Sequence, residues 1–403
     1  MRKQIELEQA VEILCAAVRP LERVEQAGLL QALGRVLAQD MVSGQPNPPF
    51  DRSPVDGYAC RSADLAQASP EHPARLRVAA EVDAGGWYTG TVGPGECVRI
   101  MTGAAIPAGC DCVQWQEKTN YAEDWVEVYA PVPPYGNYCF AGEDYPAGAL
   151  LLPAGTCIGA VEAGILAGLG LDQVPVRPRP RVALLTTGDE VTAPGQPLAP
   201  GRIYNQNLWL AAARLTQLGA ELVCARQLPD DAAAVAQAVR EAAADADLVL
   251  TTGGVSVGKK DILHEVVAQL GTEPVFWKLR MKPGSPALFW QWDGVPVLSL
   301  SGNPFGVAAH LELLVRPMLA QLTGCAALRP VRRQAVLQTA FAKASPNRRF
   351  VRGLCQDGQV TLPQGLHASG VLSSMRGCNC LLDLPAGSPP LAPGQKVDVV
   401  MLG

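Results

Sequence analysis

The sequence lacks a surplus of basic charge: 33 Lys and Arg stand against 38 Asp and Glu, a formal charge of −5. That excludes the electrostatic footprint of a nucleic-acid-binding protein. It leaves room for a small anion held by local lysines and backbone dipoles. A long hydrophobic run is also missing. The most apolar stretch, residues 159–171, contains Glu162 and is too short to cross a bilayer, so no membrane partner is expected. Arg2 and Lys3 are not followed by the apolar core of a secretory signal, and the expected compartment is the cytoplasm. Cysteine pairs with zinc-finger spacing are absent too. Cys110-x-Cys112 and Cys378-x-Cys380 are one residue too close and have no histidine nearby, which argues against zinc. The twelve cysteines read instead as free thiols, mostly buried, in a reducing compartment.

What is present describes a folded, multidomain protein. Hydrophobic residues make up 48% of the 403, and mean hydropathy is +0.11, too apolar for disorder. The length exceeds one core and predicts two to four domains. Ile5, Leu7, Ala10, Val11, Leu14 and Val18 form a helical stripe. Residues 22–41 read as a short strand and then a helix ending near Gln39. Short alternating runs between about 54 and 143 predict a β-rich, barrel-like module, and helical patterning returns over 145–174. Pro175 to Pro180 reads as a stiff linker. Beyond it strands and helices alternate: strands at 182–186, 221–226 and 247–252, helices at 207–218, 231–244 and 261–270. Further strands at 274–279, 286–290 and 296–300 precede a helix over 303–322. Such alternation predicts a doubly wound, mostly parallel α/β sheet covered on both faces. The last 75 or so residues read as a small β domain.

The densest chemistry lies in Gly253-Gly-Val-Ser-Val-Gly-Lys-Lys-Asp261, between a predicted strand and helix. Gly253, Gly254 and Gly258 let backbone N–H groups converge on an anion. Ser256, Lys259, Lys260 and Asp261 add a hydroxyl, two cations and a metal-binding carboxylate. The segment fits the front of a P-loop, but Lys260 occupies the position of the Mg²⁺-holding hydroxyl. It is therefore a phosphate or oxyanion loop rather than a nucleotide triphosphatase motif. In open parallel sheets ligands gather at the carboxyl ends of strands. The predicted strand ends carry Thr186-Thr-Gly-Asp-Glu190, Asp230, Lys278, Lys282-Pro-Gly-Ser285 and Ser301-Gly-Asn-Pro304. Each alone has an ordinary explanation, such as a helix cap at Asp230 or Asn303. Together they make one polar edge, where carboxylates beside an anion cradle fit a divalent cation bridging to phosphate.

These motifs resemble the molybdopterin molybdenumtransferase (MoeA) family, to which the E domain of gephyrin is related. The similarity spans nearly the whole chain. It runs through Phe50-Asp-Arg-Ser-Pro-Val-Asp-Gly-Tyr-Ala59, Val98-Arg-Ile-Met-Thr-Gly-Ala104, Gly142-Glu-Asp144 and Thr187-Gly-Asp-Glu190. It continues through Gly201-Arg-Ile-Tyr-Asn205, Gly253 to Gly258, Met281-Lys-Pro-Gly284 and Gly302-Asn-Pro304.

The resemblance implies Mg²⁺-dependent insertion of molybdate into adenylylated molybdopterin with release of AMP. It implies a homodimer that passes its product to molybdoenzymes or works with the adenylyltransferase. It also implies four domains: residues 1–50 with 145–178, an inserted β-rich module at 51–144, the α/β domain at 179–325 and a C-terminal β domain at 326–403. Matched by motif, Asp56, Thr102, Asp144, Glu190, Asp230, Asp261, Lys278 and Lys282 are the expected catalytic residues. Glu190, Asp230 and Asp261 are the expected metal ligands. Gly253, Gly254, Ser256, Gly258, Ser301, Gly302, Asn303 and Pro304 are expected to bind the molybdopterin substrate.

The chain departs from the family pattern at several points. Tyr138-Cys-Phe-Ala141 replaces basic residues, Ser285 replaces a second lysine, and Asn205 replaces an aspartate. Ser301 stands where the family has proline, and the Gly-Ser-His stretch becomes Ala368-Ser-Gly370. Other readings are a non-catalytic scaffold or cofactor-binding paralogue, or a tungstate-inserting enzyme. The intact acidic and lysine constellation argues against a scaffold.

Overall fold

The protein, a computed structural model, is described over residues 1–255, 262–365 and 367–403. Ser256, Gly258, Lys259, Lys260 and Asp261 lie outside the described residues. The chain divides into two compact units, one comprising 1–38, 155–159 and 173–403, the other 39–154 and 160–172.

The first unit is built on seven of the described strands. In chain order its elements are β1 (Arg2–Ile5), α1 (Leu7–Ala17), β2 (Arg181–Thr187), α2 (Gln206–Gln217), β3 (Glu221–Leu228) and α3 (Ala232–Ala243). Then come β4 (Leu248–Thr252), α4 (Leu263–Gln269), β5 (Phe276–Leu279), β6 (Leu288–Trp292), β7 (Val295–Leu300) and α5 (Pro304–His310). The strand order is β1-β5-β6-β7-β4-β2-β3. Every pairing is parallel except the two that β6 makes with β5 and β7. The strands are apolar on both faces because both are covered. Val182 and Leu184 face a core shared with α1, α2 and α5, while Ala183 and Leu185 face α3 and α4. After His310 the helix runs through a π-helical turn, Leu311–Val315, into Arg316–Thr323. There Glu312 accepts from Arg214 Nε at 2.6 Å and Arg316 Nη1 at 3.2 Å, a buried ion network.

The same unit contains the C-terminal β module, a small closed barrel. Its strands are Val331–Leu337, Arg348–Gln356, Gln359–Thr361, Cys380–Leu384 and Lys396–Met401, closed by the pairing of 348–356 with 380–384. The two-residue strand Met281–Lys282 pairs with Arg348 and Arg349, so the lysine loop after β5 is stitched to the barrel.

The sequence reading differs from the structure at the N-terminal end. Strand β1 was not expected, and it carries residues 2–5 into the α/β sheet. The helix expected to end near Gln39 does not form. Glu25–Gly28 is a strand, followed by turns in which Gly34 takes φ +72°. Val36 and Leu37 are then drawn into bridges with Cys157 and Val176, so long-range pairing overrides local helical periodicity. The proline-rich linker is also part of a sheet. Gln173–Val176 pairs antiparallel with Glu25–Gly28, burying Val174 and Val176 while Pro175 alternates to the other face.

The second unit holds a five-stranded sheet in the order 112–115, 57–60, 96–100, 74–82, 125–128. Among the described residues no pairing closes it into the expected barrel. Its two faces each carry a separate apolar cluster, with Tyr58 and Cys60 on one and Ala59 on the other. Loops rather than a closed wall cover them. All twelve cysteines are free thiols.

Candidate functional site

The carboxyl ends of the parallel strands gather the polar residues that the sequence singled out. Strand β2 delivers Asp189 and Glu190, and β3 delivers Asp230. The Asp230 carboxylate accepts from the Asp189 N–H at 3.2 Å, and the Asp189 carboxylate accepts from the Asp230 N–H at 3.1 Å. Between strand and acidic turn, Gly188 has φ +145°. Glu190 is exposed on the same turn. At the end of β4, Gly253 has φ +95°, and a Cβ there would lie 2.5 Å from the Thr187 carbonyl oxygen. Only glycine fits this approach. Gly254 follows at φ +64°, and Gly302 lies against Gly253.

Lys278 sits inside β5 rather than at its end. It has φ +65°, and its Nζ lies 4.2 Å from the centre of the Trp277 ring. Lys282 is exposed at the mouth of a cavity of about 450 Å³ between the sheet edge and the C-terminal barrel. Ser301 and Asn303 line the same cavity, and Asn303 precedes Pro304, the first residue of α5, without capping it through its side chain. The opposite wall comes from the barrel: Phe341, Lys343, Arg349 and His367.

Those barrel residues were missed in the sequence, and strand geometry explains how they arise. Successive side chains on a strand point to opposite faces. Arg348 turns to Asp383, with Nε–Oδ1 at 2.8 Å, and to Glu8 at 2.7 Å. Its neighbour Arg349 turns to the cavity, where its Nε is buried and has no hydrogen-bond partner. His367 Nδ1 is likewise unpartnered. Burial, with Arg352 and Lys343 nearby, holds the His367 pKa below its ordinary value. With Lys282 across from Lys343 and Arg349, the cavity offers three cations and two spare polar atoms, with no carboxylate among its described lining residues. Such a lining is suited to a tetrahedral oxyanion.

The remaining expected residues lie in the second unit. Asp56 Oδ1 accepts from both the N–H and the hydroxyl of Thr102, at 2.7 Å each. These bonds hold the Asp56 carboxyl below its usual pKa. Asp144 Oδ2 accepts from Asn47 Nδ2 at 2.9 Å. Tyr138, one of the departures, packs with Tyr135 and Phe140 and donates its hydroxyl to Asp51 at 2.5 Å. Burial pushes its pKa up.

Asn205 caps α2 through its Oδ1, at 3.1 Å from the Leu208 N–H. Its amide donates to Thr186 Oγ1 at 2.9 Å and Gln227 Oε1 at 3.1 Å. An aspartate there would set a second acceptor against the Gln227 oxygen, so asparagine suits this site.

Three family models match the chain in order: the MoeA N-terminal region (domain I and II) over residues 5–170, a probable molybdopterin binding domain over 183–321, and the MoeA C-terminal region (domain IV) over 334–402. The molybdopterin molybdenumtransferase of Staphylococcus aureus is 35% identical over 93% of this chain and 90% of its own length. The chain belongs to the MoeA family. The molybdopterin molybdenumtransferase of Bacillus subtilis is 34% identical over 100% of this chain and 95% of its own. Among solved structures, the molybdopterin biosynthesis MoeA protein of Pyrococcus horikoshii superimposes with a TM-score of 0.84 at 30% identity, covering 99% of this chain and 100% of that one. The MoeA fold is therefore present from end to end.

A divalent cation has hard oxygen donors available at the acidic strand ends. Among the described residues no three His, Cys, Asp or Glu side chains form a closed metal cluster. Mg²⁺ does not need one, since it is commonly held by one or two carboxylates together with substrate phosphates and water. Asp230 and Glu190 fit that role. Asp261, the third expected ligand, lies outside the described residues.

Proposed function

We propose that this MoeA protein inserts molybdate into adenylylated molybdopterin, with Mg²⁺, and releases AMP. The observation that carries this reading is the cation-lined cavity of about 450 Å³ at the sheet edge, next to strand ends that present carboxylates. In this reading Lys282, Lys343 and Arg349 receive the molybdate dianion and hold it at fixed distance from the strand ends. Gly253, Gly254, Ser256 and Gly258 take a substrate phosphate through backbone N–H groups. Asp230, Glu190 and Asp261 would hold Mg²⁺, which when bound would supply positive charge to the substrate's phosphate oxygens. Lys278 adds positive charge near the same edge, and Gly302 to Pro304 shape its floor. Asp56, Thr102 and Asp144, on the second unit, complete the set of catalytic residues in this reading.

The same reading makes the protein a cytoplasmic homodimer that hands its product to molybdoenzymes or works with the adenylyltransferase. Helix Ala160–Gly168 supports the dimer. It is strongly apolar, yet among its residues only Leu166 is buried, and Val161 is 71% exposed. Such a face calls for a second protein surface. No described helix is long and apolar enough to cross a membrane.

The test is AMP release from adenylylated molybdopterin by the purified protein with Mg²⁺ and molybdate. Wild type is expected to release AMP, with Asp261→Ala and Arg349→Ala strongly impaired. A wild type that releases none, or variants that release as much as wild type, would overturn the reading.

A further inference from the structure

His310 lies at the end of α5 with no solvent exposure, and it takes no part in the chemistry described above. Its two ring nitrogens are both engaged. Nε2 lies 2.6 Å from the Gly284 carbonyl oxygen, and the Ser301 N–H points at Nδ1 from 3.2 Å. A carbonyl only accepts, so Nε2 carries the proton and Nδ1 offers its lone pair to Ser301. The two bonds select one neutral tautomer. Both backbone partners belong to the cavity wall: Gly284 to the loop that carries Lys282, Ser301 to the loop that carries Asn303.

The surroundings are shaped around this ring. Gly284 has φ +90°, and a Cβ on it would stand 2.5 Å from Nε2, so a side chain there would displace the imidazole. Gly306 leaves similar room: a Cβ would lie 2.6 Å from Ser301 Oγ. That hydroxyl in turn accepts from the Asn303 N–H at 3.2 Å. The bond from residue 301 to His310 exists only because residue 301 has an N–H. A proline at this position would have none. Ser301 and His310 thus make a paired device in this chain.

We propose that His310 is a positioning residue of the oxyanion cavity. It bridges the Lys282–Gly284 loop and the Ser301–Asn303 loop and sets the gap between them as a hydrogen-bonded crosspiece. The inference rests on the reading of the cavity as the molybdate site. Displacing positioned groups by an ångström costs large factors in rate or affinity, and because both bridged loops line the oxyanion cavity, loss of the crosspiece acts chiefly on the oxyanion.

The experiment is calorimetric titration of molybdate into wild type, His310→Leu, His310→Gln, Ser301→Pro and the Ser301→Pro/His310→Leu double variant. Steady-state assays run alongside, and near-UV circular dichroism confirms folding. His310→Leu is expected to weaken molybdate binding by at least about 10-fold and to raise KM for molybdate by a larger factor than KM for adenylylated molybdopterin. His310→Gln, which keeps an amide donor, falls between. Ser301→Pro weakens wild type but adds little in the His310→Leu background, the non-additivity of one shared contact. Should His310→Leu fail to fold, His310→Gln and Ser301→Pro carry the same comparison. Unchanged molybdate affinity in the folded variants, or strictly additive losses, overturns the role of His310 while the cavity assignment stands. A wild type that binds no molybdate overturns the cavity assignment and the inference together.

Discussion

Asp189 and Asp230 hold each other by exchanged bonds, each carboxylate accepting the other's backbone N–H at 3.2 and 3.1 Å. This exchange locks the turn after β2 to the turn after β3. It orients two acidic side chains at neighbouring strand ends. Oxygen donors held in place at a strand end suit a hard divalent cation shared with a substrate phosphate.

Asp230→Asn preserves the shape and an acceptor for the Asp189 N–H but removes the charge. The expected result is a Mg²⁺ concentration for half-maximal AMP release raised by at least on the order of 10-fold, with little change in thermal stability. Asp189→Asn keeps its acceptor toward Asp230 and should have the smaller effect. A Mg²⁺ titration of both variants decides the matter. Equal Mg²⁺ dependence in wild type and Asp230→Asn would remove Asp230 from the metal site.

Thr102 controls the ionisation of Asp56. Its hydroxyl and N–H both donate to one carboxylate oxygen, and these bonds favour the charged form, holding the pKa below its usual value. Thr102→Val removes the hydroxyl and leaves the N–H. The Asp56 pKa then rises toward the ordinary carboxylate range, and a larger fraction is protonated at mildly acidic pH. The acid limb of the pH–rate profile should therefore move to higher pH, with Thr102→Ser restoring it. A limb that does not move in Thr102→Val would separate Asp56 ionisation from the reaction.

Much of the α/β half was legible because its signals are local. The run 248–250 is Leu-Val-Leu followed by two β-branched threonines, the stripe of α3 repeats at helical spacing, and the strand ends carry glycine and acidic residues in short motifs. The cavity's far wall was not legible, because Lys343, Arg349 and His367 sit on short strands and loops of the barrel with no motif of their own. Arg349 differs from Arg348 only in the direction a pleat assigns to it, and the pairing with Met281 and Lys282 that brings it to the site is long-range. His310 looked like any polar residue in an apolar helix. Its meaning depends on Gly284 and Ser301, which the sequence separates from it and from each other. The missed β1 and the unformed helix before Gln39 have the same origin: distant partners decide those segments.

His310 also carries a prediction about stability that is independent of activity. Burial depresses its pKa from 6.5 to about 4, while the bond to the Gly284 carbonyl opposes the shift. In the unfolded chain the ring titrates near its ordinary value. Above that value both states are neutral and the group has no pH effect. As pH falls from about 6.5 toward 4, the unfolded state takes up a proton that the folded state refuses, so stability is lost across that window, by at most roughly 3 kcal/mol. The surrounding charges keep this sign: Lys282, Lys343 and Arg349 line the adjoining cavity and disfavour a second cation, and the nearby Glu312 is already engaged by Arg214 and Arg316. His367, whose pKa is also depressed, contributes in the same direction in every variant and cancels in the comparison. Urea unfolding at pH 7 and pH 5 should therefore show a smaller acid loss for His310→Gln than for wild type. An identical acid loss in the two proteins would mean that the ring is not held neutral by burial, and that Nδ1 is not reserved for Ser301.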